Sequence, residues 1–519
     1  MDLIVICGIV IGVFTLILAF IYWKYQYRKE RIKLRKAGRR PDMYLDRILE
    51  SKNRKLVHYI SEGIVYWEKS LHISAIKIFK KSLSLDIEPK EELIIRILLG
   101  NSFLFISNYD DALIEYNTSL DIARKIEDTE GKVAALASIG IVYRIEGKVD
   151  KAFEYFQKSL DITTEAGNKE GEAIILNNIA ITHLSKLDLG ASSDYLKKSL
   201  KICNMMGYKE IKSIVLHGFG SLNYLKGEID IALDYYEKSQ KILREIDYKL
   251  YEADCLVNIG NIYKLKGNID VALNYYKESL NIYYNIGNKE KQVLCLSNIG
   301  KICMAKDDID AALKYFKKAL IIDKKSGNRE GEVSSFNNLG EAYTAKGEIN
   351  IAMNYFKKGL KISREINNRI GEINSLMGMG LAYESKPDLE SALECLEKAL
   401  QISREAKYKE GNAISLDIIG IVYKSKGELD KALEYLENAL KINREIGDKQ
   451  GEATSLANIG FVYIEKGELN TALEYLKKAL DILDNYQITH GRVIIARNIE
   501  KIKLKKYSPE YFRDLFRDG

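Results

Sequence analysis

Apolar residues recur at steps of three and four along most of the chain, the spacing of amphipathic helices rather than strands. The segment from Gly447 to Ile482, GDKQGEATSLANIGFVYIEKGELNTALEYLKKALDI, shows the arrangement. Leu456, Ile459, Val462 and Tyr463 fall on one face of a first helix, and Ala472, Tyr475, Leu476, Ala479 and Leu480 on one face of a second. Gly467 between them suits the left-handed conformation that closes a helix. Asn470 stands where a helix N-cap is expected, a place held elsewhere by Asp110, Asp150, Asp230, Asp270, Asp310, Asn350 and Asp430. Each unit is thus predicted to be a helical hairpin with a three-residue turn.

From residue 130 onward the pattern returns every forty residues without slipping. Gly140, Gly220, Gly260, Gly300, Gly340, Gly380, Gly420 and Gly460 share one phase, with Ala180 in the single gap. Twelve positions later stand Ala152, Ala232, Ala272, Ala312, Ala352, Ala392, Ala432 and Ala472, with Ser192 in the gap. The same spacing joins Gly63 to Ala75 and Gly100 to Ala112, giving eleven units. Small residues at both places let the two helices approach closely, where bulky ones would cost about 1–3 kcal/mol by overpacking. A single hairpin cannot bury its apolar face, so neighbours must stack. The predicted fold is all-α, an α-α superhelix over residues 57–490, followed by a capping helix and tail over 491–519.

The N-terminal stretch departs from this pattern. Leu3 to Trp23 reads LIVICGIVIGVFTLILAFIYW, without a charge, and a helix of that length covers ~31 Å, the thickness of a bilayer's hydrocarbon core. A cleavable signal peptide would start basic and have a shorter apolar core, whereas this stretch starts with Asp2 and runs into Tyr22-Trp23-Lys24. Residues 1–23 are therefore expected to be an uncleaved transmembrane anchor, and 24–56 a basic juxtamembrane segment and linker. Lys24, Arg28, Lys29, Arg31, Lys33, Arg35, Lys36, Arg39 and Arg40 all follow the span, which predicts a single-pass cell-membrane protein with Met1 outside and the repeats in the cytoplasm. Gly8 and Gly12 form a GxxxG pair that could bring two such helices into a homodimer.

Composition narrows the function. The net charge of +6 is local, because the stretch from Lys24 to Arg40 carries nine basic residues and one acid. The body is close to neutral and gives no support for nucleic-acid binding. Cys7, Cys203, Cys255, Cys295, Cys303 and Cys395 form no CxxC pair and read as reduced, mostly buried thiols. The five histidines are scattered singly. No GxxxxGK[ST], GxSxG or metal-ligand spacing occurs. No catalytic residue, cofactor or metal is expected, and the chain is read as a non-enzyme. The 34 tyrosines could pack as rings between neighbouring helices.

The run Ile459-Gly460-x-x-Tyr463, followed by Ala472, Leu476 and Ala479, resembles the tetratricopeptide repeat, and Phe156, Phe316 and Phe356 restore an aromatic at the Leu476 place. The forty-residue period and the missing proline near the end of the unit are most similar to the longer-repeat subgroup of kinesin light chains and Pins-type adaptors. The resemblance covers roughly residues 57 to 500. It implies an adaptor or assembly scaffold that binds protein or peptide segments in a concave groove lined by the first helices. A regulator that changes shape on binding a peptide is the alternative; residues 41–56 are too few for the extra helical bundle such sensors carry.

The position two before the glycine points about 200° away from it on a helix. It holds Asn178, Asn258, Asn298, Asn338 and Asn458, with Ser138, Gly218, Gly378 and Ile418 interrupting. Such a file could hold an extended peptide backbone, or the amides could bond their own neighbours between repeats. Three residues further along come Ile141, Ile181, Ser221, Asn261, Lys301, Glu341, Leu381, Ile421 and Phe461, apolar at both ends and polar in the middle. This second file suggests apolar docking near either end, or partial burial by the next repeat.

Overall fold

The computed structural model describes residues 54–68, 72–106, 108–486 and 491–506. Among them are 23 α-helices, from α1 (Arg54–Glu68) to α23 (Arg492–Lys506), numbered in chain order. They alternate as first and second helices of eleven hairpins, and α23 packs on the last of these. In the hairpin of α21 (Lys449–Glu465) and α22 (Leu469–Asn485), residues 466–468 make the expected three-residue turn.

Left-handed residues set the rhythm. From Glu127 to Gly467 a residue with φ between 27° and 81° recurs every twenty positions, at the turn inside each hairpin and again at the turn between hairpins. Glycine fills most of these places, as at Gly467 (φ 78°), but Glu127, Leu187, Asp247, Asp307, Asn367 and Lys407 adopt the same conformation with a side chain. The forty-residue period is thus two half-units of twenty residues. The N-caps lie two residues before the expected place: Asp308 accepts from the Ala311 amide at 3.0 Å and Asp188 from the Ala191 amide at 3.0 Å. Asp150, Asp310 and Asp430, expected as caps, sit in the first turn of their helices instead. There they reach lysines of the following hairpin, Lys186 at 2.7 Å, Lys346 at 3.1 Å and Lys466 at 2.7 Å.

The phased glycines chiefly seat a side chain. A Cβ on Gly300 would lie 2.3 Å from the Phe316 ring, and one on Gly460 2.8 Å from Leu476 Cγ. Backbone approach also matters at Gly460, where the Ala472 carbonyl would be 3.4 Å away. Tyrosines stack across the hairpin as expected, Tyr343 on Tyr355 at 5.5 Å and Tyr463 on Tyr475 at 5.6 Å between centroids.

The helices gather into two compact units. One runs to Cys255 and takes in Ile282–Lys289; the other holds Leu256–Asn281 and continues from Glu290. The core of the first includes Ile139, Ile141, Phe156, Ile179 and Ile181. In the second, Leu376, Leu396, Leu416 and Ile419 form one cluster and Leu436, Leu456, Leu476 and Ile495 another.

The expected localisation requires correction. Among the described residues no helix is long and apolar enough to cross a membrane. Charged residues punctuate each repeat helix, so none offers the unbroken apolar length a bilayer needs. A single-pass membrane protein is not supported. Leu3–Trp23, the Gly8/Gly12 pair and the basic stretch from Lys24 to Arg40 lie outside the described residues.

Candidate peptide-binding face

The nine-member asparagine file divides into buried and open members. Asn178 on α7 (Lys169–Ser185) is 2% exposed and Asn258 on α11 (Lys249–Leu265) is 6% exposed. Asn458 on α21 is half-buried and lies near the Asp417 carboxylate of the preceding first helix. Asn298 on α13 (Lys289–Ala305) and Asn338 on α15 (Arg329–Ala345) are half-buried, with part of each side chain open to water.

The second file divides more sharply. Ile141 on α5 (Thr129–Ile145) and Ile181 on α7 are 0% and 2% exposed and belong to the core of the first unit. The idea of apolar docking near the N-terminal end of this file is therefore wrong, because those isoleucines have no free surface. Ser221 is buried, and Asn261 accepts a hydrogen bond from the Tyr276 hydroxyl at 2.6 Å. Lys301 and Glu341 are exposed, Leu381 on α17 (Arg369–Glu384) is 39% exposed, and Ile421 and Phe461 are half-buried.

Four of the eight candidate residues therefore meet water together: Asn298, Lys301, Asn338 and Glu341, on two consecutive first helices of the second unit. Glu341 is open to water, yet the surrounding protein desolvates it enough to raise its carboxyl above the ordinary range, with Lys301 pulling the other way. Sequence reading missed a row three helical turns earlier on the same face. Glu330 on α15, Ile370 on α17 and Glu410 on α19 (Lys409–Ser425) each stand eleven residues before a member of the second file. Eleven residues rotate a helix through about 1100°, or roughly 20° beyond three full turns, so the spacing alone could have revealed them. Ile370 is 43% exposed, and desolvation raises the carboxyls of Glu330 and Glu410.

Among the described residues no group of histidine, cysteine and carboxylate side chains could hold a metal. The thiols of Cys203 and Cys255 are buried, which pushes both up to about 12 and keeps them protonated. Lys317, Lys318, Lys357, Lys358, Lys477 and Lys478 are exposed on second helices.

The chain matches the tetratricopeptide repeat over residues 132–205, 212–285, 292–365, 371–445 and 412–485. It belongs to the tetratricopeptide repeat family. The match is to the general repeat and does not assign the kinesin light chain subgroup. Solved structures with similar folds include yeast Tom70, 12% identical, covering 90% of this chain and 99% of that one with a TM-score of 0.46. The apo quorum sensor NprR from B. thuringiensis is 17% identical and covers 69% of this chain and 100% of its own, with a TM-score of 0.46. A Rap protein complexed with competence and sporulation factor is 15% identical, with coverage of 72% and 98% and a TM-score of 0.45. No curated protein sequence matches the chain.

Proposed function

We propose that the protein is a non-catalytic scaffold that holds a protein or peptide segment across the first helices of its second unit. One observation carries this reading: Asn298, Lys301, Asn338 and Glu341 remain accessible on neighbouring helices, whereas Ile141 and Ile181 at the second-file places in the first unit are buried. Side-chain amides placed at a constant interval can donate to and accept from an extended backbone without demanding a sequence. Membership of a family whose repeats serve protein interaction supports it.

The test places a photo-crosslinking amino acid at Lys301 or Glu341 and, as a control, at Lys317. A discrete protein or peptide adduct at the first two positions, absent at the third and lost in the Asn298→Ala/Asn338→Ala double variant, is the expected result. Equal labelling at all three positions, or labelling indifferent to the asparagines, overturns the reading. A bound peptide that also changes the hydrodynamic radius would mark the shape-changing regulator instead.

A further inference from the structure

The exposed first-helix face of the second unit has an order, and the order selects a ligand. Along the second file the groups run Lys301, Glu341, Leu381, Ile421, on α13, α15, α17 and α19 in turn. Lys301 and Glu341 are neighbours of opposite charge, and Lys301 lowers the Glu341 carboxyl. Glu341 is exposed, and among the described residues no ion pair holds its carboxylate. Three turns earlier on α15, Glu330 is raised by desolvation and adds a second carboxylate to the same helix face. The next first helix, α17, carries no charge at either place: Ile370 and Leu381 present aliphatic surface to water. On α19, Ile421 continues the aliphatic run, half-buried.

We propose that this face takes an extended peptide bearing a lysine or arginine followed by two aliphatic side chains. The cation lies at Glu341 and the aliphatic groups over Leu381 and Ile421. Packed helices stand about 8–10 Å apart and an extended chain advances about 3.3 Å per residue, so one helix corresponds to roughly three ligand residues. The recognised pattern is basic-x-x-aliphatic-x-x-aliphatic. A cation pairs with the exposed Glu341 carboxylate, and the aliphatic groups remove Leu381 and Ile421 from water. This inference rests on the scaffold reading above and assigns the chemistry of its ligand.

The probe is a fluorescein-labelled peptide, Lys-Gly-Ser-Leu-Gly-Ser-Leu, titrated with the full chain and followed by fluorescence anisotropy. Controls replace its lysine by glutamate or place the lysine after the two leucines. The lysine-first peptide is expected to bind, to weaken with added salt, and to lose about tenfold in affinity with Glu341→Gln and with Leu381→Ser. Glu341→Lys is expected to transfer preference to the glutamate peptide. All three substitutions fall at exposed positions, and circular-dichroism melting checks that each variant is folded. Equal binding of the three peptides, or no change of preference with Glu341→Lys, overturns the proposal. Adducts at Lys301 and Glu341 with no binding of any of these peptides overturn the ligand chemistry and leave the scaffold standing. Neither adducts nor peptide binding overturns both.

Discussion

Second-file positions on the first helices carry opposite character in the two units. Ile141 and Ile181 in the first unit are core residues; Lys301, Glu341 and Leu381 in the second are surface residues. The buried hydroxyl groups that bond between helices have also moved. In the first unit they sit on second helices, where Ser159 donates to the Val133 carbonyl, Ser199 to Ala173 and Ser239 to Ser213, at 3.2, 2.6 and 2.7 Å. In the second unit Ser279 keeps that place, the later ones become Ala319, Gly359, Ala399, Ala439 and Ala479, and serine appears on first helices instead. Ser335 donates to Asp323 at 2.7 Å, Ser375 to Asn337 at 2.8 Å, and Ser455 to Asp417 at 2.9 Å. One repeat frame thus accommodates hydroxyl bonds within hairpins in one unit and a polar seam of side-chain bonds between hairpins in the other. Among the described residues the second-file places are buried in the first unit and exposed at Lys301, Glu341 and Leu381 in the second.

The strongest break of this contrast puts the same amide on both sides of it. Ile181→Asn places an unpaired polar group in a closed core and should cost about 3 kcal/mol or more. Leu381→Asn, at an open position, should stay within about 0.5 kcal/mol of the parent. Urea unfolding followed by circular dichroism separates the two, and equal losses would abolish the distinction between the units.

The polar seam can be tested by pH. Burial pushes the Asp323 carboxyl up to about 7, against the donors Ser335 and Asn328, and Asp417 likewise to about 7. An unfolded aspartate titrates near 4. Between about pH 4 and 7 the folded chain therefore holds more protons than the unfolded one, and stability falls as pH rises through that window. Asp323→Asn should flatten the decline and leave the variant on the order of 2 kcal/mol more stable at pH 8, measured by urea midpoints at pH 5 and 8. A variant that is less stable at pH 8 would show that the charged form is the one the seam prefers.

Smallest is the effect of the recurring surface pairs, which both units share. Lys186→Ala in the first and Lys466→Ala in the second should each change stability by less than about 0.5 kcal/mol, because both partner aspartates are almost fully exposed. A loss several times larger in one unit alone would show that its hairpins depend on these pairs.

Most of the fold was legible in the sequence because it is written eleven times. Phased glycines and alanines, hairpin turns and tyrosine pairs each follow from local spacing. Two local features escaped. The cap position was misplaced by two residues, since aspartates at 150, 310 and 430 also satisfy the preference for acid in a first helical turn. The left-handed turns at Leu187 and Lys407 carry residues that do not advertise that conformation. The candidate face was legible only as two files of positions. Which members are open depends on packing between repeats, and the burial of Asn178 or the bond from Tyr276 to Asn261 has no signature at the position itself.

The twenty-residue beat of left-handed turns bears on how such a chain can change over time. A stretch cut from one turn to the equivalent turn forty residues on begins and ends in the same backbone state. It can be duplicated or removed with its boundaries already compatible. Loss of a single residue inside a helix has the opposite effect. It rotates everything up to the next turn by about 100° and carries greasy side chains out of their seam. Such a gene should tolerate gain or loss of whole cassettes far better than the smallest in-frame deletion.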